Sequence, residues 1–419
     1  MNSSVNKPEL LIPAGSLDVL KVALDYGADA VYVGGEMFSL RAGARNFTHD
    51  DLMEASRLVH ERGKKLYITA NITAHEYDLK GVREYFEELK EVKPDALIVS
   101  DPGIMSIQRE ILPDIPIHVS TQANNVNSAD FRFWHDAVGA TRVVGGRELS
   151  LNEIKRIRSE IPDDLEIEAF VHGAMCISYS GRCLLSNYFT GRDANLGQCT
   201  HPCRWKYYVV EEKRPGEYIP VEENERGTYI FNSKDLCMID HIPEIVDAGI
   251  NSLKIEGRMK TALYVATVAR TYRRAIDDFF ESPSKYQENM DWYKDEITKC
   301  TFRQFTTGFY FNKPTHEGQV YDNNVYVRNY IYLGTVSEDS RDGLVTGMKQ
   351  KNKYSVGDEI EVMHAVDYGN GFNEKLKVLE LINEKGEAVQ SVPHAEEIYS
   401  VRLSGDVKKG EILRVRDDS

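Results

Sequence analysis

The strongest constraint on the fold is a repeat. A short apolar, β-prone run ending in Gly, Ser, Asn or Asp is followed by a helical pattern, again and again through the first half of the chain. The runs are ELLIPAG from Glu9, AVYVGG from Ala30, KLYITAN from Lys65, ALIVSD from Ala96, IHVSTQ from Ile117, RVVGG from Arg142 and EIEAFVHG from Glu166. Their near-continuous apolar character suits strands buried on both faces of a parallel sheet. Between them lie HDDLMEASRLVHERG, GVREYFEELKEVKP and SLDVLKVALDYG, the last with Ser16 placed as an N-cap and Gly27 as a C-cap. These seven runs leave a closed barrel one strand short, and SLKIEGR, residues 252–258, supplies the eighth after a long insertion and the helix PEIVDAG. The prediction is a TIM-type (β/α)8 barrel over residues 1–325, with an insertion at about 174–250 that begins directly after strand seven. An open doubly wound sheet is the runner-up, but no GxGxxG follows the first strand to support a dinucleotide fold.

From Tyr330 the pattern changes to short alternating runs separated by Gly, Asp and Lys turns: YLGTVSE, LVTGM, VGDEIEVM, LKVLELIN, AVQSV, YSVRLSG and GEILRVR. Such runs predict a small antiparallel, barrel-like β domain over residues 330–419. At 419 residues the chain is long enough for more than one domain. No basic segment followed by a long apolar stretch opens it, and no run is long enough to span a bilayer, so a soluble cytoplasmic protein is expected.

Five of the six cysteines, Cys176, Cys183, Cys199, Cys203 and Cys237, fall in the insertion. Inside a cell, cysteines grouped in this way bind metal or do redox chemistry more often than they form disulfides. A short-spaced pair joined by remote cysteines can wrap one iron–sulfur cube, whereas a zinc site would show two matched CxxC-type knuckles, which neither pair forms. Cys300, alone in KCTFRQF, reads as a buried core thiol.

The net charge of -15 argues against indiscriminate nucleic-acid binding. A local basic site remains open, because Arg182, Arg192, Arg204, Lys206, Lys213 and Arg214 stand among the cysteines, with Lys254, Arg258 and Lys260 farther on. In barrels of this type the active site gathers at the C-terminal ends of the strands. Those ends offer Glu36, Asn71, Asp101, Gln122, Arg147, His172, Glu256 and Arg258. Of these, His172, Glu256 and Arg258 are the catalytic candidates, and Arg182, Arg204 and Lys254 the substrate-binding ones. Strand eight should aim Arg258 into the barrel mouth, where a guanidinium can hold a carboxylate or phosphate. Tyr179, Tyr188, Phe189 and Trp205 lie among the cysteines and offer faces for stacking bases.

Glu168, Phe170, Gly173, Cys176, Gly181, Cys183 and Ser186, with the LIPAG start, NLGQCTHPCR, KDLC and LKIEGRMK, give the chain a resemblance to the U32 family, historically labelled a peptidase family. The resemblance covers essentially the whole chain. Length and the C-terminal β domain resemble the branch that hydroxylates the wobble uridine of tRNA with prephenate as oxygen source. Relatives hydroxylate ribosomal RNA or the ubiquinone ring. The resemblance implies a [4Fe-4S] cluster held by Cys176, Cys183, Cys199 and Cys237, with Cys203 as a fifth candidate. It also implies tRNA, through its anticodon loop, and prephenate as partners, with a paralogous subunit as a further expected partner. A peptidase reading lacks HExxH and GxSxG. It would need a cysteine nucleophile, with His172 or His201 as base for Cys176 or Cys199. A ribosomal-RNA hydroxylase and a non-catalytic RNA-binding protein also remain compatible with these residues.

Overall fold

The fold is that of a computed structural model, in which the described residues are 6–39, 46–176, 183–205, 208–209, 219–220, 232–313, 319–320, 327–366 and 373–417. By internal contacts the chain divides into two compact units. The first comprises residues 1–20, 29–260 and 303–325, and the second residues 21–28, 261–302 and 326–419.

The first unit is built on β1 (Glu9–Pro13), β2 (Ala30–Gly34), β3 (Lys65–Ala70), β4 (Ala96–Val99), β5 (Ile117–Val119), β6 (Ala140–Val144), β7 (Glu166–Ala174), β8 (Asp235–Cys237), β9 (Ser252–Ile255) and β10 (Phe305–Thr306). Strands β1 to β7 and β9 pair in parallel in that order, and β9 closes on both β7 and β1. The closed eight-stranded parallel barrel is therefore present, and SLKI is its eighth strand as the sequence predicts. Two short strands extend it after the insertion: β8 runs antiparallel to β7, and β10 pairs in parallel with β8. Nothing in the sequence announces this extension, because runs of two or three residues carry no periodicity.

Helices follow the strands: α1 (Leu17–Asp25), α2 (His49–Glu61), α3 (Leu79–Val92), α4 (Pro102–Ile111), α5 (Ser128–Phe133), α6 (Leu151–Glu160), α7 (Leu185–Thr190), α8 (Ile242–Asp247) and α9 (Ala262–Glu281). Local chemistry fixes their starts. Thr48 and Asp51 form a reciprocal capping box on α2, and Ser150 and Glu153 do the same on α6. Asp101 accepts from Gly103 N at 2.8 Å and Ile104 N at 3.1 Å, with Pro102 in the first turn of α4. In α2 the buried Leu52, Ala55, Leu58 and Val59 recur at helical spacing, which gives the helix one inward stripe.

The second unit contains α9, α10 (Pro283–Glu288), α11 (Met290–Glu296) and an antiparallel sheet. Its strands are β11 (Tyr330–Thr335), β12 (Leu344–Lys349), β13 (Glu359–Met363), β14 (Glu374–Asn383), β15 (Ala388–Val389), β16 (Ile398–Leu403) and β17 (Ile412–Arg416). They run in the order β11-β17-β13-β14-β16-β12, with β15 on β14. Alternate residues such as Leu376 and Val378 in β14 and Tyr399, Val401 and Leu403 in β16 turn into one apolar core. Beside it lies a buried ion cluster. Arg414 donates to Glu296 Oε1 at 2.8 Å and from Nε to Glu361 at 2.7 Å, and Arg270 donates to Glu296 at 2.5 Å. Among the described residues no helix is long and apolar enough to cross a membrane.

Candidate functional site

Four barrel strands carry a charged side chain in an otherwise apolar run, and these charges meet inside the barrel. Arg142 donates to Glu9 at 2.6 Å, to Glu166 at 2.7 Å and to Glu168 at 3.2 Å. Lys254 donates to the other oxygen of Glu168 at 2.6 Å, and Tyr67 and Ser252 complete the shell of Glu9. Glu168 is fully buried, with Arg142 and Lys254 nearly so. Charges withdrawn this far from water need opposite charges and hydrogen bonds on all sides. Burial alone would raise the pKa of Glu9, but the charge and hydrogen bonds of Arg142 hold it below its ordinary value. For Lys254 the balance is reversed: burial lowers the pKa further than Glu168 raises it.

Above this layer a pocket opens at the C-terminal ends of the strands. It is lined in part by Tyr32, Asn71, Gln122, Arg147, Phe170, Lys254, Glu256 and Arg258. Lys254 Nζ stands 4.3 Å from the ring centre of Tyr32, and the Arg147 guanidinium lies 3.9 Å over Phe170. Arg147 also reaches Glu256 at 3.2 Å. Arg258 donates to Ser39 at 2.6 Å and Thr69 at 3.1 Å, which fixes one edge of its fork. Gln122 Oε1 is buried in the lining with no hydrogen-bond partner among the described residues. The lining carries Arg147, Lys254 and Arg258; Arg147 is paired with Glu256 and Lys254 with Glu168 beneath the pocket, so the guanidinium of Arg258 is the charge best placed to meet an anion.

Two glycines let these side chains take their places. A Cβ on Gly34 would stand 2.1 Å from Arg258 Nη1 and 2.3 Å from Ser39 Oγ. Gly173 has φ +110°, and a Cβ there would meet the Glu256 carbonyl oxygen at 2.6 Å. The Glu256 N–H donates to His172 O at 2.9 Å, so the residue after β9 is clamped to the end of β7.

The pocket thus brings together Lys254, Glu256 and Arg258, with Asn71, Gln122 and Arg147 from the wider set of strand ends. Asp101 is a helix cap instead, and the Pro-Gly pair directly after this acidic residue is the signal for it. His172 is 1% exposed and its ring lies 5.6 Å from that of Phe305. Burial, with a smaller contribution from Lys260, pushes its pKa down to about 3, so the imidazole is neutral at ordinary pH. Arg182, Tyr179 and the Arg204 side chain lie outside the described residues. The layer of Glu9, Arg142 and Glu168 is not among the residues that the sequence singles out as a site. Its signals there are charges set in apolar strands and, for Glu168, a place in the family signature.

Cys237 lies across from His172 in the β7–β8 pairing, and Cys176 follows β7 by two residues. Cys183 precedes α7, whose buried Ser186 accepts from Thr200 N at 3.0 Å, and this bond ties that segment to Cys199 and its neighbours. His201 N donates to Cys199 Sγ at 3.4 Å, while His201 Nδ1 is 4.0 Å from that sulfur. The donors are right in kind for an iron–sulfur cluster, since thiolates are its ligands. Among the described residues, however, no three His, Cys, Asp or Glu side chains gather as a metal site. Residues 177–182, between Cys176 and Cys183, lie outside them.

Residues 15–320 match the family model described as Peptidase family U32, and residues 328–414 the model described as Peptidase family U32 C-terminal domain. The chain is 36% identical to tRNA hydroxylation protein P1 of Bacillus subtilis (strain 168), covering 97% of this chain and 94% of that protein. It is 40% identical to tRNA hydroxylation protein P of Escherichia coli (strain K12), with 92% of each covered. It is also 31% identical to the 23S rRNA 5-hydroxycytidine C2501 synthase of Escherichia coli (strain K12), over 82% of this chain and 51% of that one.

Proposed function

The chain belongs to peptidase family U32, and within that family we propose that it is an RNA-modifying hydroxylase that places a hydroxyl on C5 of the wobble uridine of tRNA. The observation that carries this reading is the near-complete correspondence, through the barrel and the C-terminal domain, with proteins named for tRNA hydroxylation. The more distant rRNA relative is named for hydroxylating another pyrimidine, and it shares a smaller part of its length. The pocket at the barrel mouth supports an anionic co-substrate of low molecular weight, and prephenate, with two carboxylates, suits its two guanidinium groups, Arg147 and Arg258.

In this reading Arg258, oriented by Ser39 and Thr69, and Arg147, flat on Phe170, hold the carboxylates of the co-substrate. Lys254, held on Glu168, forms part of the pocket floor. Glu256 moves off Arg147 when a carboxylate arrives and then holds or returns a proton at its own oxygen. His172, neutral and enclosed, braces the end of β7. A [4Fe-4S] cluster on Cys176, Cys183, Cys199 and Cys237, with Cys203 as the alternative fourth ligand, would supply redox chemistry when bound.

Mass spectrometry of tRNA and ribosomal RNA nucleosides tests the reading, comparing cells that lack the gene with cells carrying it or its Cys176→Ala form. Loss of 5-hydroxyuridine and its derivatives from tRNA alone is the expected result. Loss of a hydroxylated ribosomal nucleotide with tRNA unchanged transfers the activity to ribosomal RNA. No RNA change, together with cleavage of a protein that depends on one cysteine and one histidine, overturns the reading in favour of a peptidase.

A further inference from the structure

Helix α7 in the insertion has its polarity reversed. Its buried contact is made by Ser186, which accepts from Thr200 N and whose carbonyl receives the Thr190 hydroxyl at 2.7 Å. Its large apolar residues face the other way: Tyr188 is 82% exposed, Phe189 43%, and Leu184, just before the helix, 67%. Trp205 joins them at 46% exposed, although it is distant in sequence. The rings form a row, with Tyr188 and Phe189 at 5.1 Å and 84°, and Phe189 and Trp205 at 6.1 Å and 53°. Neither pair is stacked face to face, the arrangement that would cover a face of both rings. An exposed apolar patch of this kind marks an interaction surface.

Charge identifies the occupant. Within residues 182–206 the sequence carries Arg182, Arg192, Arg204 and Lys206 against one acid, Asp193, in a chain whose net charge is -15. Arg192, two residues beyond the end of α7, is exposed. Cations close in sequence to exposed aromatic rings suit single-stranded nucleic acid, since phosphates meet cations and bases stack on rings. A duplex offers the phosphates but keeps its bases stacked inside. We propose that Tyr188, Phe189 and Trp205 form a stacking platform for the unpaired bases of an RNA loop, separate from the anion pocket at the barrel mouth. The proposal rests on the RNA-modifying reading and adds to it where the loop is gripped.

The test is binding of a labelled anticodon stem-loop to anaerobically purified full-length protein, followed by fluorescence anisotropy. Tyr188→Ala and Trp205→Ala should each weaken binding by about tenfold or more. Tyr188→Phe, which keeps the ring, should bind like the wild type. Because these side chains are exposed, the melting temperature should not move. Trp205 emission should be quenched by the stem-loop and not by a duplex of the same length. Unchanged affinity in both alanine variants overturns the platform and leaves the hydroxylase reading standing, as does equal quenching by duplex. Failure of the wild type to bind any RNA loop overturns both.

Discussion

Lys254 Nζ and Glu168 Oε1 are 2.6 Å apart inside the barrel, and neither side chain is more than 6% exposed. The pair links β9 to β7, the two strands between which the chain makes its long excursion through the insertion, so it helps hold the barrel closed where covalent continuity is weakest. Lys254 also forms part of the pocket floor. One side chain therefore serves the stability of the barrel and the lining of its mouth together.

Removing one member of such a buried pair leaves the other uncompensated. Lys254→Met is expected to destabilise the protein by roughly 3–5 kcal/mol. The double variant Lys254→Met, Glu168→Leu should recover less than a simple pair would, because Arg142 also leans on Glu168 at 3.2 Å. Urea unfolding of the single and double variants measures both, and a cost under about 1 kcal/mol for Lys254→Met would show the pair to be screened like a surface bridge.

The ion cluster of the second unit predicts an acid-sensitive step. Burial works against the charge of Glu296, but Arg414, Arg270 and Lys299 outweigh it and hold the carboxyl well below its ordinary value. A carboxyl depressed in the folded state contributes stability that is complete above its unfolded pKa, about 4.3. That stability is lost as pH falls toward the folded value. Unfolding midpoints should therefore drop as pH falls below about 4.3, and Glu296→Gln should flatten that dependence while lowering stability at neutral pH. Midpoints collected over a pH series decide it, and an equally steep acid slope in the variant would assign the effect to other carboxyls.

The barrel was legible because each parallel strand is buried on both faces and so reads as an apolar run, as in Ala96–Val99. The C-terminal sheet was legible for the opposite reason: its strands alternate, as β16 does. Pairings made by very few residues were not, and β8 and β10 joined the barrel sheet unannounced. The site was half legible. Strand ends gave Glu256, Arg258, Arg147 and Gln122, but the contact of Arg147 with Glu256 spans 109 positions and has no local signature. The same holds for Arg142 and Glu9, 133 positions apart.

The pocket arginines yield a pair of kinetic predictions. Arg147→Gln removes a charge-assisted contact and should raise KM for the proposed anionic co-substrate by about ten- to hundredfold, with a smaller change in kcat. Gly34→Ala keeps every charge but puts a methyl group where Arg258 Nη1 now lies, 2.1 Å away. It should lower activity about as much as Arg258→Lys does, because in both the fork on Ser39 and Thr69 is lost. Steady-state assays with prephenate varied distinguish these effects, and wild-type KM in all three variants would place the co-substrate elsewhere.

The cysteines separate by environment, and their substitution should follow it. Cys300 is wholly buried in the second unit with its thiol 3.6 Å from Ile297 O, the setting of a core residue, so Cys300→Ala should leave bound iron unchanged. Cys237 is fixed by the β7–β8 pairing, and Cys176 follows on from the same strand. On the proposed cluster, either alanine variant should lose most of the iron and sulfide and the brown colour expected of anaerobically prepared protein. Cys203 follows Pro202 in a single helical turn, and as the alternative ligand its alanine variant should retain more cluster than Cys237→Ala. Iron and sulfide analysis beside the visible absorption spectrum reads all four variants. The reverse order of Cys203 and Cys237 would move the fourth ligand, and zinc in place of iron throughout would make the insertion a structural metal site.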